Sequence, residues 1–325
     1  MLPDDFSNNI TDDYIESEDI AGLPVNTKVL FSNHKNIYKK RTEKRQRMLL
    51  GSIKYIKPFL CDGEVILLIT EGSSHISFFE QFFGGYSTMA LKDAHFIFTN
   101  MRIIHIPLTF SGFSLTKNTR YRNSIAQILY CDCEYIKQSG HSLKVKYKSG
   151  KKEVFCRIKS KERKKIKSLV QQIPLDGEPS FAKERTHLCP RCQGILVKDI
   201  YECPNCQLDF KDKQTARKLS WMWPGGGFFY TGHHVMGVLD ALAEVYIAVL
   251  LFLTLYDFAK GAIFEWQIIL FFAMIMGLEK MVTVYHSSKF LEEFIPIEKE
   301  IVPYSRKAVL EDSQEYDFDD DVISV

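Results

Sequence analysis

Two long apolar stretches, only nine residues apart, constrain this chain more than any other feature. Val245–Tyr256 is twelve residues without a charge, and reaching back to Val235 gives a 22-residue run broken only by Asp240 and Glu244. Trp266–Leu278 is thirteen uncharged residues and continues to Tyr285 past Glu279 and Lys280. A helix of about 20 apolar residues covers the hydrocarbon core of a bilayer, so each extended run is long enough to cross it. The connection Asp257–Glu265 is short, which makes the pair a helical hairpin. Two buried helices of a soluble domain would show the same lengths. Against that, the uncharged parts are apolar on every side, and Trp221, Trp223, Tyr230, Trp266 and Tyr285 gather at the edges as interfacial aromatics do. The expectation is a transmembrane α-helical hairpin within residues 211–290.

Flanking charge orients the hairpin. Lys211, Lys213, Arg217 and Lys218 precede it and Lys289, Lys299, Arg306 and Lys307 follow it, whereas the loop holds only Lys260. By the excess of basic residues on the cytoplasmic side, both termini are expected in the cytoplasm. Charges inside the helices cost roughly 2.5–3.5 kcal/mol each near the bilayer centre. Asp240 and Glu244 lie one turn apart on one face, with Lys280 at similar depth in the second helix. They either pair with one another near the interface or line a proton or ion path.

The second constraint is a doubled motif. Cys189-Pro190-Arg191-Cys192 and Cys203-Pro204-Asn205-Cys206 are separated by ten residues. Two such loops, bridged by a short hairpin such as Ile195–Tyr201, bring four thiolates to one point as a tetrahedral Zn²⁺ site. A redox motif of the thioredoxin kind needs one such loop at a helix start, and here there are two in a turn-rich stretch. With all four positions taken by cysteine no site is open for an activated water, so the zinc is expected to be structural. Metal binding worth about 10–16 kcal/mol in comparable peptides would dominate folding of so short a module. Proline after the first cysteine, with Gln193-Gly194 and Gln207 after the second, resembles the zinc ribbons over residues 188–210. The other four cysteines are scattered. Cys131 and Cys133 share a strand face in this reading, as a metal pair or, more simply, as small buried apolar residues. Met1–Asp19 is acidic and polar without the apolar core of a secretory signal, so a reducing compartment is expected.

Residues 1–25 read as a disordered acidic leader and Lys35–Arg47 as a solvated basic helix. Residues 50–174 alternate as β structure. Leu143, Val145 and Tyr147 alternate with Lys144 and Lys146, Ser149-Gly150 turns the chain, and Val154, Cys156 and Ile158 continue on the returning strand. Ala94–Thr99 and Arg102–Leu108 form a second hairpin about Asn100-Met101, with further strands at Glu64–Thr70, Ser87–Leu91 and Gln127–Tyr135. A closing helix starts at Ser160, places Ile166, Leu169, Val170 and Ile173 on one face, and stops at Pro174. These elements describe a small antiparallel barrel or sandwich plugged by a helix. Thr99, Arg102 and the apolar residues around them resemble the hairpin of the bacterial PH and GRAM-like group. That resemblance implies a PH-like antiparallel barrel with a C-terminal helix. A linker, 175–187, leads to the ribbon.

Ahead of the hairpin, Trp223-Pro224-Gly225-Gly226-Gly227-Phe228-Phe229-Tyr230-Thr231-Gly232, with Gly237 beyond, resembles the entry of TM2-type two-helix domains, apart from its extra acids. Its glycines would let helix backbones approach closely. An acidic tail, 291–325, is expected on the cytosolic side.

The net charge of +2 hides a segregation, because residues 137–167 carry thirteen Lys and Arg against two Glu. Lys144, Lys146 and Lys148, with Lys151 and Lys152 across the turn, gather five ammonium groups at one hairpin. They suit anionic lipid headgroups, or simply a solvated strand face that repels edge pairing. The patch lacks regularly interleaved aromatics, which argues against nucleic acid. No phosphate loop, nucleophile elbow or HExxH motif is present, and His233-His234 stand alone at the hairpin's edge. The reading is therefore not an enzyme. It is a membrane-anchored binding or scaffold protein with a PH-like recognition domain, bound to lipid or to a protein ligand. The alternative is a small transporter or channel component using Asp240, Glu244 and Lys280.

Overall fold

The computed structural model describes residues 16–75, 93–108, 124–180, 182–261 and 266–298. The expected strand Ser87–Leu91, the acidic tail beyond residue 298 and the first fifteen residues lie outside them. The described residues divide into two compact units, one holding those through Leu196 with Pro204–Cys206, the other Val197–Cys203 and residues 207–298.

The first unit opens with β1 (Glu18–Ile20) and β2 (Leu23–Val25), turned by Ala21 and Gly22 at φ 59° and 83°. The disordered reading therefore holds for none of the described residues from 18 to 25. Leu23 and Val25 are fully buried on either side of Pro24, and Val25 joins Ile66. Two isolated apolar residues are enough here because a neighbouring strand supplies the rest of the core. Asn26 accepts from Val29 N at 2.9 Å and starts α1 (Thr27–Leu30). Then comes α2 (Lys40–Ser52), whose Leu49 and Leu50 are buried. Gln46 on the same face exchanges hydrogen bonds with the backbone O and N of Ile69, at 2.9 and 3.2 Å. The basic helix is thus solvated on one side only.

The sheet follows with β3 (Ile66–Ser74), β4 (Asp93–Thr99), β5 (Arg102–Pro107), β6 (Ile125–Leu129), β7 (Cys133–Ser139), β8 (Ser142–Tyr147) and β9 (Lys152–Cys156). The closing helix is α3 (Ser160–Gln172), and β10 (Thr186–Leu188) and β11 (Ile195–Leu196) end the unit. Hydrogen-bonded order is β11-β10-β6-β5-β4-β3-β9-β8-β7, with β1 and β2 attached at β3. The two ends are not joined among the described residues, so the sheet is open and a closed barrel is not seen. Within the sheet, β3 pairs with β4 along its length and meets β9 at Ser73↔Cys156 and Ser74↔Phe155.

Burial explains the two sequence patterns. In β4, Phe96 and Phe98 face one core with Ile166, Leu169 and Val170 of α3 and Ile173 just after it, while Ile97 faces a second core with Leu49, Leu50 and Ile53. A strand covered on both faces reads as a continuous apolar run. By contrast β8 is covered on one face, so Leu143, Val145 and Tyr147 are buried and Lys144 is exposed. Each fully buried large apolar side chain contributes roughly 1.5–3 kcal/mol, which makes these two cores the main source of stability. The β4–β5 turn is held by Thr99, whose Oγ1 accepts from Met101 N and Arg102 N and donates to Glu64 Oε1 at 2.9 Å. Arg102 forks onto the two Glu64 oxygens at 2.9 and 2.8 Å. In this fold the Thr99–Arg102 motif is a buried brace.

The second unit contains α4 (Lys213–Met222), α5 (Gly226–Thr231), α6 (His234–Ala259) and α7 (Trp266–Phe290). Asp212 caps α4 by accepting from Thr215 N at 2.7 Å. Close packing needs glycine at two points. A Cβ on Gly226 would stand 2.2 Å from Leu219 O, and one on Gly225 (φ 66°) 2.1 Å from Gly237 O. Helices α6 and α7 are long and apolar enough to cross a membrane. Only 11% of the most apolar window of each is buried, so the protein itself does not cover them as it would a pair of core helices.

Candidate metal centre

Cys189 follows β10 directly, so pairing of β10 with β6 and β11 fixes where the first loop sits. His187 Nδ1 lies 2.9 Å from Ser124 Oγ and strengthens that junction. Thr186 and His187, expected in the linker, and Leu188, expected in the ribbon, are therefore strand. Each cysteine loop then closes the same way. Gln193 N donates to Cys189 O at 3.0 Å, and Gln207 N donates to Cys203 O at 2.9 Å. Both glutamines have positive φ, at 63° and 55°. Cys189 N donates to Gly194 O at 2.8 Å and Cys203 N to Leu208 O at 2.9 Å, which completes two matching knuckles. The hairpin expected over Ile195–Tyr201 is not formed: β11 pairs back with β10 across the first cysteine loop, and Ile200 N donates to Val197 O in a turn before the second.

The sulfurs of Cys189, Cys192, Cys203 and Cys206 all lie within 4.8 Å of one another. Cys189 Sγ is 3.6 Å from Cys206 Sγ, far outside the ~2.05 Å of a disulfide. Four sulfurs around a tetrahedral ion at about 2.3 Å stand about 3.8 Å apart, so the spacing fits a thiolate-bound metal. Arg191 N approaches Cys189 Sγ at 3.5 Å and Gly194 N approaches Cys192 Sγ at 3.4 Å. Such amides stabilise thiolates and orient them toward an ion. The Cys192 sulfur beside it, then burial, hold the Cys189 thiol far above its ordinary range. Four ionised thiols can therefore share this space only around a cation. The four cysteines could hold a metal, and the two knuckles leave no fifth donor among them.

The scattered cysteines form no such group among the described residues. Cys131 lies in a 3-10 turn (Tyr130–Asp132), so it does not share a strand face with Cys133. Both are buried, and Cys133 Sγ donates to Leu129 O at 3.3 Å. Burial pushes the Cys133 thiol up to about 12, which leaves it protonated and inert at neutral pH.

The five lysines run along β8 and around its turn into β9, with Lys144 opposite Lys137 and Lys146 opposite Lys152. The patch is partly neutralised. Lys146 pairs with Glu134 at 2.6 Å and Lys151 pairs with Glu184. Lys144, Lys148 and Lys152 are exposed.

In α6 and α7 the structure joins the charges the sequence singles out. Lys280 Nζ lies 2.5 Å from Glu244 Oε2 and donates to Ser220 O at 2.8 Å. Asp240 accepts from Thr283 Oγ1 at 3.1 and 3.0 Å. Glu279 completes a three-carboxylate group with Asp240 and Glu244, all within 4.8 Å. Glu279 and Thr283 were not singled out in the sequence, although their spacing of four puts them on one helical face and could have found them. Glu64, the partner of Arg102, carried no local signal at all, since 38 residues separate the two.

Comparison with family models, with characterised proteins and with solved structures returns no match to this chain.

Proposed function

We propose that this chain is a membrane-anchored binding or scaffold protein, with α6 and α7 as a transmembrane hairpin and the β unit and a zinc-loaded ribbon on the cytosolic side. The observation that carries the reading is the outward apolar surface of α6 and α7. Leu242, Tyr246, Phe252, Leu270, Met274 and Met281 are all exposed, and a bilayer is the solvent that removes that cost. Zinc is the ion best matched to four thiolates at tetrahedral spacing. The open sheet closed by α3 supports a PH-like recognition domain, with Lys144, Lys146, Lys148, Lys151 and Lys152 near anionic headgroups. A protein ligand is the other occupant of that surface.

A site-specific reporter at Gly261 tests the anchor. We expect it to be reached only from the far side of the membrane, with reporters at both termini reached from the cytosol. Recovery of the full chain in the soluble fraction without detergent would remove the proposal.

The proximity of Asp240, Glu244 and Glu279 favours a second reading, a transporter or channel component. The ion pair of Lys280 with Glu244 supports the anchor instead, because it neutralises the most buried member of the group. Cation flux through liposomes holding the purified chain, lost in Glu244→Gln, would decide for transport.

A further inference from the structure

Helices α6 and α7 are not covered evenly along their length. Gly237, Glu244, Lys280, Thr283, His286 and Ser287 are buried, all in the first eleven residues of α6 or the last eleven of α7, whereas Thr254 alone is buried toward their connection. The covered end is packed by α4 and α5. Lys280 Nζ donates to Ser220 O of α4 at 2.8 Å, and Gly225 N donates to Glu244 Oε1 at 3.5 Å. A Cβ on Gly227 would stand 2.1 Å from Ser220 Oγ and 2.8 Å from Ser287 Oγ, so α4, α5 and α7 meet closely there. The Phe290 ring lies 6.2 Å from that of Phe228 and stacks on His233 at 4.1 Å. Ala216 packs with Leu291 and Ile295 beyond the end of α7.

Two helices therefore become four helical segments at one end of the hairpin. Eleven residues of helix rise about 16 Å, roughly half of a hydrocarbon core. Each helix fills a cylinder about 10 Å across, so α4 and α5 enlarge the cross-section of that end roughly twofold. The connection end keeps the cross-section of two helices. The added segments also expose apolar surface at one level. Trp221, Met222 and Trp223, where α4 ends, are 56, 64 and 63% exposed, and Arg217 and Lys218 are exposed about one turn earlier. This surface adjoins the outward apolar face of α6 and α7 and has the aromatic and basic make-up of the headgroup boundary. The Lys280 ammonium, on a last-turn carbonyl of α4, also meets the negative end of that helix dipole and holds the segment against the hairpin.

We propose that the second unit is a wedge for one leaflet, which gathers the chain in membranes whose cytosolic face is convex. The inference rests on the transmembrane hairpin proposed above, with the α4 end on the cytosolic side. An inclusion wide in one leaflet and narrow in the other fits where the wide leaflet is stretched, and crowds its neighbours where that leaflet is compressed. Apolar residues inserted at the headgroup boundary of a single leaflet already confer curvature sensitivity. A free amphipathic helix can leave the membrane, whereas α4 is tied to the spanning helices through Lys280 and Ser220. What the unit recognises is the shape of the bilayer and not the chemistry of its headgroups, so the β7-β8-β9 lysines play no part in it.

The test uses the full chain, with a fluorescent tag at its N-terminus, in giant phosphatidylcholine vesicles from which membrane nanotubes are pulled. Vesicles whose tag is quenched from outside carry the cytosolic side outward. Protein density in the tube relative to the vesicle is read against a lipid dye at low surface coverage. We expect enrichment of about threefold in tubes from these vesicles, and depletion in tubes from vesicles of the opposite orientation. Trp221→Ser with Trp223→Ser is expected to lose at least about half of the enrichment, whereas Trp266→Ser, at the connection end, is expected to keep it. If the double variant melts abnormally in detergent, Trp223→Ser alone is measured, with a smaller loss expected in the same direction. Equal density in tube and vesicle overturns the proposal. Full enrichment in the α4 variants overturns it too, because sorting would then come from the bulk of the β unit. Flotation separates the two readings: a chain recovered apart from the vesicles removes the hairpin itself, and a chain that incorporates without sorting removes the wedge alone.

Discussion

Glu244 and Lys280, 36 residues apart, meet at 2.5 Å with both side chains buried, and Lys280 also reaches back to the carbonyl of Ser220. One contact thus ties three helices. Removing one partner leaves a buried charge alone, which costs on the order of 3–5 kcal/mol, whereas replacing both by apolar residues is often neutral. Glu244→Leu and Lys280→Met should each lower the melting temperature in detergent, and the double variant should recover most of the loss. Equal and additive losses would mean that the two residues act separately.

Purified protein is expected to hold one zinc per chain, measured by elemental analysis of fresh, unchelated material. Cys203→Ser should lower that content severalfold and loosen the ribbon, while the circular dichroism of the β unit persists. Substoichiometric zinc in the wild type would refute the assignment.

Stability should depend on alkaline pH in two opposed ways. Burial holds the Tyr55, Tyr130 and Tyr147 hydroxyls and the Cys133 thiol above their ordinary values. Above pH ~9 the folded chain therefore keeps protons that the unfolded chain releases, and stability falls as pH rises, by about 1.4 kcal/mol per unit for each fully engaged group. Burial lowers the Lys165 ammonium to about 7, with the opposite sign. Between pH 7 and the ordinary lysine value the folded chain binds fewer protons, so that term rises with pH. Urea melts of residues 16–210 should show stability climbing from neutral pH and declining above about 10. A monotonic climb to pH 11 would contradict the buried hydroxyls.

The same fragment should bind anionic vesicles in a salt-sensitive manner, with Lys144→Glu, Lys146→Glu and Lys148→Glu together reducing binding at least about tenfold. Co-sedimentation measures it. Equal affinity for neutral vesicles would point to a protein ligand of this surface.

A fragment cut at residue 50 would have seemed natural from the sequence, because the alternation begins there. It would divide α2 and discard β2. The four cysteines and the apolar helices were legible because they are local patterns: a repeated spacing, and runs of one polarity. Leu143, Val145 and Tyr147 announced their strand for the same reason. By contrast the Arg102–Glu64 brace and the Arg45–Glu162 pair join residues 38 and 117 positions apart. No periodicity encodes such meetings. The order of the strands in the sheet, with β3 between β4 and β9, leaves no trace in hydrophobic pattern either.

With a metal held by the four cysteines, the junction at Cys189 would couple metal status to aggregation. Among the described residues β10 is the neighbour that covers the outer side of β6, through only three residue pairs ending at Leu188. Loss of such an ion would free the loop that pins this short strand, and fraying would bare the β6 edge at Ile125–Gln127. An uncovered apolar edge recruits other strands. Chelation should therefore first appear as light scattering that grows with protein concentration, before any loss of helix.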